Sequence, residues 1–109
     1  MELLQIADEI QKKIKALEHG RSLLDEKAED KAKAISEYDK ALAMKLLEMK
    51  EHHPVTICEK LAKGEIYEKR YTLEVCEAGY KSVITKIECL KAEMNGLQSV
   101  NRYLSDVSS

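Results

Sequence analysis

The residues best equipped for chemistry gather around the single proline. His52, His53 and Cys58 carry metal-ligand atoms, and Glu48 lies one helical turn before His52. Zinc sites use four ligands in closely spaced His or Cys pairs, and neither pairing occurs here. The expectation is a solvated turn beside a thiol that behaves as a small core hydrophobe. Cys58, Cys76 and Cys89 form an odd set without CxxC spacing, which fits reduced thiols in the cytoplasm better than a disulfide framework. Cys76 falls on an apolar seam, where a buried thiol is a poor nucleophile. There is no Glu-x-x-His repeat of the kind that builds carboxylate-bridged metal centres, no P-loop, no glycine-rich dinucleotide turn and no calcium loop. The residues therefore predict no enzyme, no catalytic or metal-binding residue and no cofactor.

Cations offer a second chemistry. Lys60, Lys63, Lys69, Arg70, Lys81 and Lys86 could form a basic stripe with tyrosines nearby for base stacking. Acidic residues interrupt that interval, and the net charge is −2. Residues 1–53 hold ten basic and twelve acidic side chains, and residues 54–109 hold eight of each. Tight binding to phosphate backbones needs a broad positive field, which this balance lacks. Thr56 to Tyr71 has the outline of a helix-turn-helix, but Glu65 and Glu68 stand where a recognition helix would meet phosphate. Nucleic acid is thus disfavoured as a partner. A membrane is not expected either, because the apolar runs are short and the polar faces mix both charges.

The elements that position these groups are helices. Phe and Trp are absent, and Gly and Pro are scarce, the composition of long helices and coiled coils. From Leu73 onward, Leu73, Cys76, Tyr80, Val83, Ile87, Leu90, Met94, Leu97, Asn101 and Leu104 follow at alternating steps of three and four. That repeat holds one seam against a partner helix. Asn101 is its one polar member and could set register. Ile84 and Val100 widen the stripe and argue for a bundle of several helices. A poorer seam runs through Leu3, Ala7, Ile10, Ile14, Leu17, Arg21, Leu24, Ala28, Lys31, Ile35, Tyr38, Leu42, Lys45 and Met49. Asp8 with Lys12 and Glu9 with Lys13 have the acid-first spacing of four that supports a helix. Gly20 is a candidate kink within an otherwise continuous helix, and Gly79 and Gly96 are candidate points of close approach.

His52-His53-Pro54 ends the first helix, because proline lacks the amide that continuation needs and disfavours helical geometry before it. Thr56 and Glu59 have capping-box spacing, and Gly64 is placed to end a short connector helix. The expected fold is all-α, a single domain over residues 1–109. It comprises a helix over about 2–52, a turn and short helix over 53–64, a helix over about 65–105 and a frayed tail over 106–109. The two long helices form an antiparallel, coiled-coil-like helical hairpin that assembles into a multi-helix bundle.

Leu61-Ala62-Lys63-Gly64, Tyr80-Lys81-Ser82-Val83, Lys91 to Ser99 and Arg102-Tyr103, in this layout, resemble small helical-hairpin proteins from the early regions of bacteriophages. The resemblance implies a host-takeover, counter-defence or recombination accessory that acts by binding. Taken with the seams, the expected function is a self-associating protein-protein interaction module that inhibits a host defence protein. Its interface is expected among Leu73, Tyr80, Ile87, Leu90, Met94 and Leu97, residues that would equally serve as an internal core. The alternatives are an oligomeric nucleic-acid accessory of phage recombination and a bundle that sequesters a small signalling nucleotide.

Overall fold

The first fifty residues hold no proline and a single glycine, Gly20. In the computed structural model, which describes residues 2–108, α1 runs unbroken over Leu3–Lys50. The last turn tightens as the His52 and His53 amides donate to the Met49 carbonyl at 3.1 and 3.0 Å. Residues 51–53 then turn into Pro54. The connector α2 spans Val55–Glu65, and α3 spans Tyr67–Ser108. No strand occurs among the described residues, and the two long helices pack against each other.

Several local expectations give way. Pro54 itself is the N-cap, at φ −60° and ψ 145°, with no side-chain cap. Thr56 therefore lies inside the helix and forms no capping box. Proline's fixed φ suits a helix start, and extended geometry at that residue lets the chain enter from the turn. Gly64 does not end α2. It has ordinary helical geometry, since no glycine among the described residues has positive φ. The interruption falls at Ile66 instead, at φ −98° and ψ 24°, whose amide still donates to the Ala62 carbonyl at 3.1 Å. Ile66 is buried, so the break is held by an anchored side chain and not by a flexible residue. The second long helix accordingly begins at Tyr67, two residues later than expected. At the other end, residues 106–108 are helical where a frayed tail was expected, and Ser109 lies outside the described residues.

The chain forms two compact units, one of the chain ends (up to Asp25 and from Lys81 on) and one of Glu26–Tyr80. In the first, Leu17, Val83 and Ile87 are buried together, with Leu23, Leu24, Leu90 and Met94 against them. Leu17 meets Ile87 while Lys13 meets Glu93, so the two helices run antiparallel here. In the second unit Met49, Cys58 and Ala62 form the core, with Leu42 and Leu46 packed on it. Glu37 reaches Lys69 at 4.0 Å and Lys45 reaches Glu65 at 3.1 Å, again the antiparallel order.

The α3 seam follows the expected repeat: all ten positions from Leu73 to Leu104 are buried or half-buried. The α1 seam is broader than the expected repeat. Ten of its fourteen positions are buried or half-buried, Ile14, Ala28, Leu42 and Met49 among them, while Leu3, Ala7, Arg21 and Ile35 are exposed. The residues one earlier than one class of these positions, Ile6, Lys13, Gly20, Lys27, Ala34 and Ala41, also face inward. The reason is size. Large residues of α3 need small or flexible partners, and Gly20 supplies one: a Cβ built there would stand 3.1 Å from Ile87 Cγ1. Gly20 is a socket for Ile87 within an unbroken helix. Lys13, Lys27 and Lys31 complete the seam by lying along it with their stems and carrying the charge outward.

Candidate protein interface

In the first unit the seam leaves one face of α3 uncovered. Cys89, Glu93, Gly96, Val100, Tyr103 and Val107 recur at alternating steps of four and three, and all six are exposed. Tyr103 and Val107 are 67% and 66% exposed, and Gly96 has no atom within 4 Å of where a Cβ would stand. Beside them lies an open groove of about 430 Å³ lined by Glu9, Lys13, Glu93, Gly96, Leu97 and Val100. A second groove of about 330 Å³, lined by Thr85, Lys86, Cys89, Leu90 and Glu93, lies next to it and shares Glu93. Their floors are apolar and their edges charged, which is how core and rim are divided in protein interfaces.

The charged edge is fixed by Lys13 and Glu93, which form an ion pair between α1 and α3. The Glu93 carboxylate, hydrogen-bonded to the amine, holds Lys13 above its ordinary value against the opposing effect of burial. Glu9 takes Lys12 at 3.3 Å. Neither lysine forms its ion pair with the acid four residues before it, although Glu9 adds to the raising of Lys13.

The strong-seam residues have a different fate. Val83, Ile87, Leu90 and Met94 are occupied by Leu17, Leu23 and Leu24 of α1. Leu73, Cys76, Tyr80, Leu97, Asn101 and Leu104 are half-buried, with Leu97 also reaching the groove. Tyr80 lies under the Lys31 ammonium, 4.8 Å from the ring centroid, an attraction of the cation to the ring face. In the first unit the seam serves the pairing of α1 with α3, and the exposed face is the stripe next to it. That stripe could have been found as a second heptad in the sequence, but the groove needs α1 and α3 side by side.

Three members of the basic stripe are bound to acidic neighbours. Lys63 pairs with Glu59 at 2.9 Å, Lys69 approaches Glu37 at 4.0 Å, and Arg70 Nε donates to Glu74 at 3.0 Å while its guanidinium sits 5.9 Å from the Tyr38 ring. The Lys63 hydrogen bond holds Glu59 below the usual carboxylate range, and Glu59 in turn raises Lys63. Glu74 and then Tyr38 raise Arg70. Lys60, Lys81 and Lys86 are exposed, and Lys86 borders the second groove.

The proline-turn residues are not brought together as ligands. His52 and His53 are exposed. Glu48 is engaged by Lys45 at 3.1 Å, which Glu65 and then Glu48 raise above the ordinary lysine value. Cys58, only 2% exposed, donates its thiol to the Pro54 and His53 carbonyls at 3.2 and 3.6 Å. No group of three His, Cys, Asp or Glu side chains among the described residues is arranged to hold a metal ion. Cys76 lines a small groove of mixed character with Asp30, Lys33, Ala34, Glu37 and Thr72. No helix among the described residues is long and apolar enough to cross a membrane. Comparison of the chain with protein-family models, curated proteins and solved structures finds no match.

Proposed function

We propose that this protein is a non-catalytic, cytoplasmic interaction module that self-associates into a multi-helix bundle and acts by holding a protein partner. The observation that carries the reading is the exposed stripe Gly96, Val100, Tyr103 and Val107 beside an apolar-floored groove. An apolar face of this kind, rimmed by charge, is how association sites appear on small helical proteins. Inhibition of a host defence factor by a phage accessory is the role that the sequence resemblance attaches to it.

The rival nucleic-acid reading loses support at Lys63, Lys69 and Arg70, whose charges already face carboxylates. The nucleotide-sequestering reading gains little from the grooves, where Lys13 is already paired with Glu93 and Glu9 stands beside them.

Sedimentation velocity over a range of concentrations, followed by capture from a bacterial lysate with mass-spectrometric readout, tests the proposal. A reversible oligomer and a stoichiometric protein partner, lost together when Val100 and Tyr103 are replaced by Ser, are expected. A monomer at all micromolar concentrations with no recovered partner would refute it.

A further inference from the structure

We propose that the groove beside Lys13 and Glu93 receives Tyr103 of a second copy of this chain, with the two α3 helices packed antiparallel about a two-fold axis near Gln98. The inference rests on the self-association proposed above and gives it a geometry.

The groove's chemistry selects the occupant. Its floor is Gly96, Leu97 and Val100, and its edge is the Lys13–Glu93 pair with Glu9 beside it. A side chain with an apolar body and a polar tip fits such a site, and tyrosine is that side chain. The ring would pack on the floor beside the Lys13 ammonium, and the hydroxyl would donate to a carboxylate at the edge. The fold already sets cations against tyrosine rings twice, Lys31 over Tyr80 and Arg70 over Tyr38. Tyr103, 67% exposed, stands on the same stripe as the groove, two turns beyond Gly96.

Spacing selects the direction. With the axis near Gln98, antiparallel packing sets Tyr103 against Glu93 of the second copy, Val100 against Gly96 and Val107 against Cys89. Each large residue meets a small one or the groove, and Gly96, with open space above it, lets the backbones approach. Because the arrangement is isologous, each copy fills the other's groove with the same residue. A parallel, in-register pair would set Glu93 on Glu93 and Tyr103 on Tyr103, placing like charges together and leaving both grooves unfilled. The shared length from Cys89 to Val107 is about 27 Å at 1.5 Å per residue. Even with Glu9 and Lys13 added the contact is short, and the dimer is expected to dissociate on dilution through the micromolar range.

Disulfide trapping distinguishes these geometries. In a Cys76→Ser background, Val107→Cys should form an intermolecular bond with native Cys89 under mild oxidation, giving a reducible dimer that Cys89→Ser abolishes. Tyr103→Ala should raise the dimer dissociation constant at least about tenfold, the effect of losing a central aromatic anchor, with the circular-dichroism spectrum unchanged. Tyr103→Phe should retain most of the affinity. A dimer that cross-links instead through Cys89 alone, or through Val100→Cys but not Val107→Cys, would overturn the proposed packing while leaving self-association standing. So would a dimer indifferent to Tyr103→Ala. A chain that stays monomeric would overturn both.

Discussion

Gly20 shows how one missing side chain decides a packing arrangement. A glycine inside a helix costs about 1 kcal/mol relative to alanine, yet here a methyl group would press on Ile87 Cγ1 at 3.1 Å. Ile87 is β-branched and buried, so its χ1 has little freedom to yield. We expect Gly20→Ala to destabilise the protein by about 1 kcal/mol, crowding outweighing propensity. In an Ile87→Ala background the same change should instead stabilise by about 1 kcal/mol, since only the propensity gain remains. A urea-denaturation double-mutant cycle reads the coupling directly; equal effects in both backgrounds would show that Ile87 does not sit on Gly20. At the same scale, Lys63 holds Glu59 below its ordinary value. A carboxylate lowered in this way adds stability above its unfolded-state value, and that stability fades as pH falls through the folded value. Lys63→Ala should return Glu59 to the ordinary carboxylate range in an NMR pH titration. Both groups are exposed, so the effect on overall stability is small.

The elements account for what could be read from the residues and what could not. The α3 seam was legible because Leu, Ile, Val and Met at a strict repeat are a large apolar signal. The matching seam of α1 was half hidden, since Lys13, Gly20, Lys27, Ala34 and Ala41 carry almost none. The large side chain of Ile35 drew the reading one residue away from buried Ala34. Complementarity explains the asymmetry: bulky residues on one helix are accommodated by small ones on the other. The groove was illegible for another reason, because its walls come from opposite ends of the chain. Its Gly96 and Val100 stood out in the sequence, but Lys13 and Glu93 became partners only through the fold. Gly64 was misread as a stop, since glycine is the usual αL residue at helix ends. In the structure it is a helical residue one short of the end of α2, with nothing near its Cβ position. Gly64→Ala should therefore raise stability by up to about 1 kcal/mol, measured by chemical denaturation. A loss would mean that α2 does end there.

For the whole molecule, the distribution of charge matters more than its total. The near-neutral chain has its acids and bases interleaved, and ion pairs link exposed side chains both within helices and between them. Such a surface attracts polyanions weakly. Fluorescence anisotropy with labelled single-stranded DNA at about 0.15 M salt, where the screening length is about 8 Å, should stay flat. A signal that falls steeply with added salt would instead restore the nucleic-acid reading.

The thiol of Cys58 has one further consequence. It is held by two carbonyls of the proline turn and covered by Met49 and Ala62, whereas Cys89 faces solvent. An alkylating reagent can reach Cys58 only after the turn has swung open. The molecule thus carries an internal clock: in protein diluted to the monomer, Cys89 should be labelled at once, Cys76 more slowly, and Cys58 at a pace set by the opening of its own corner. Time-resolved mass spectrometry of intact protein would read that pace without any engineered label.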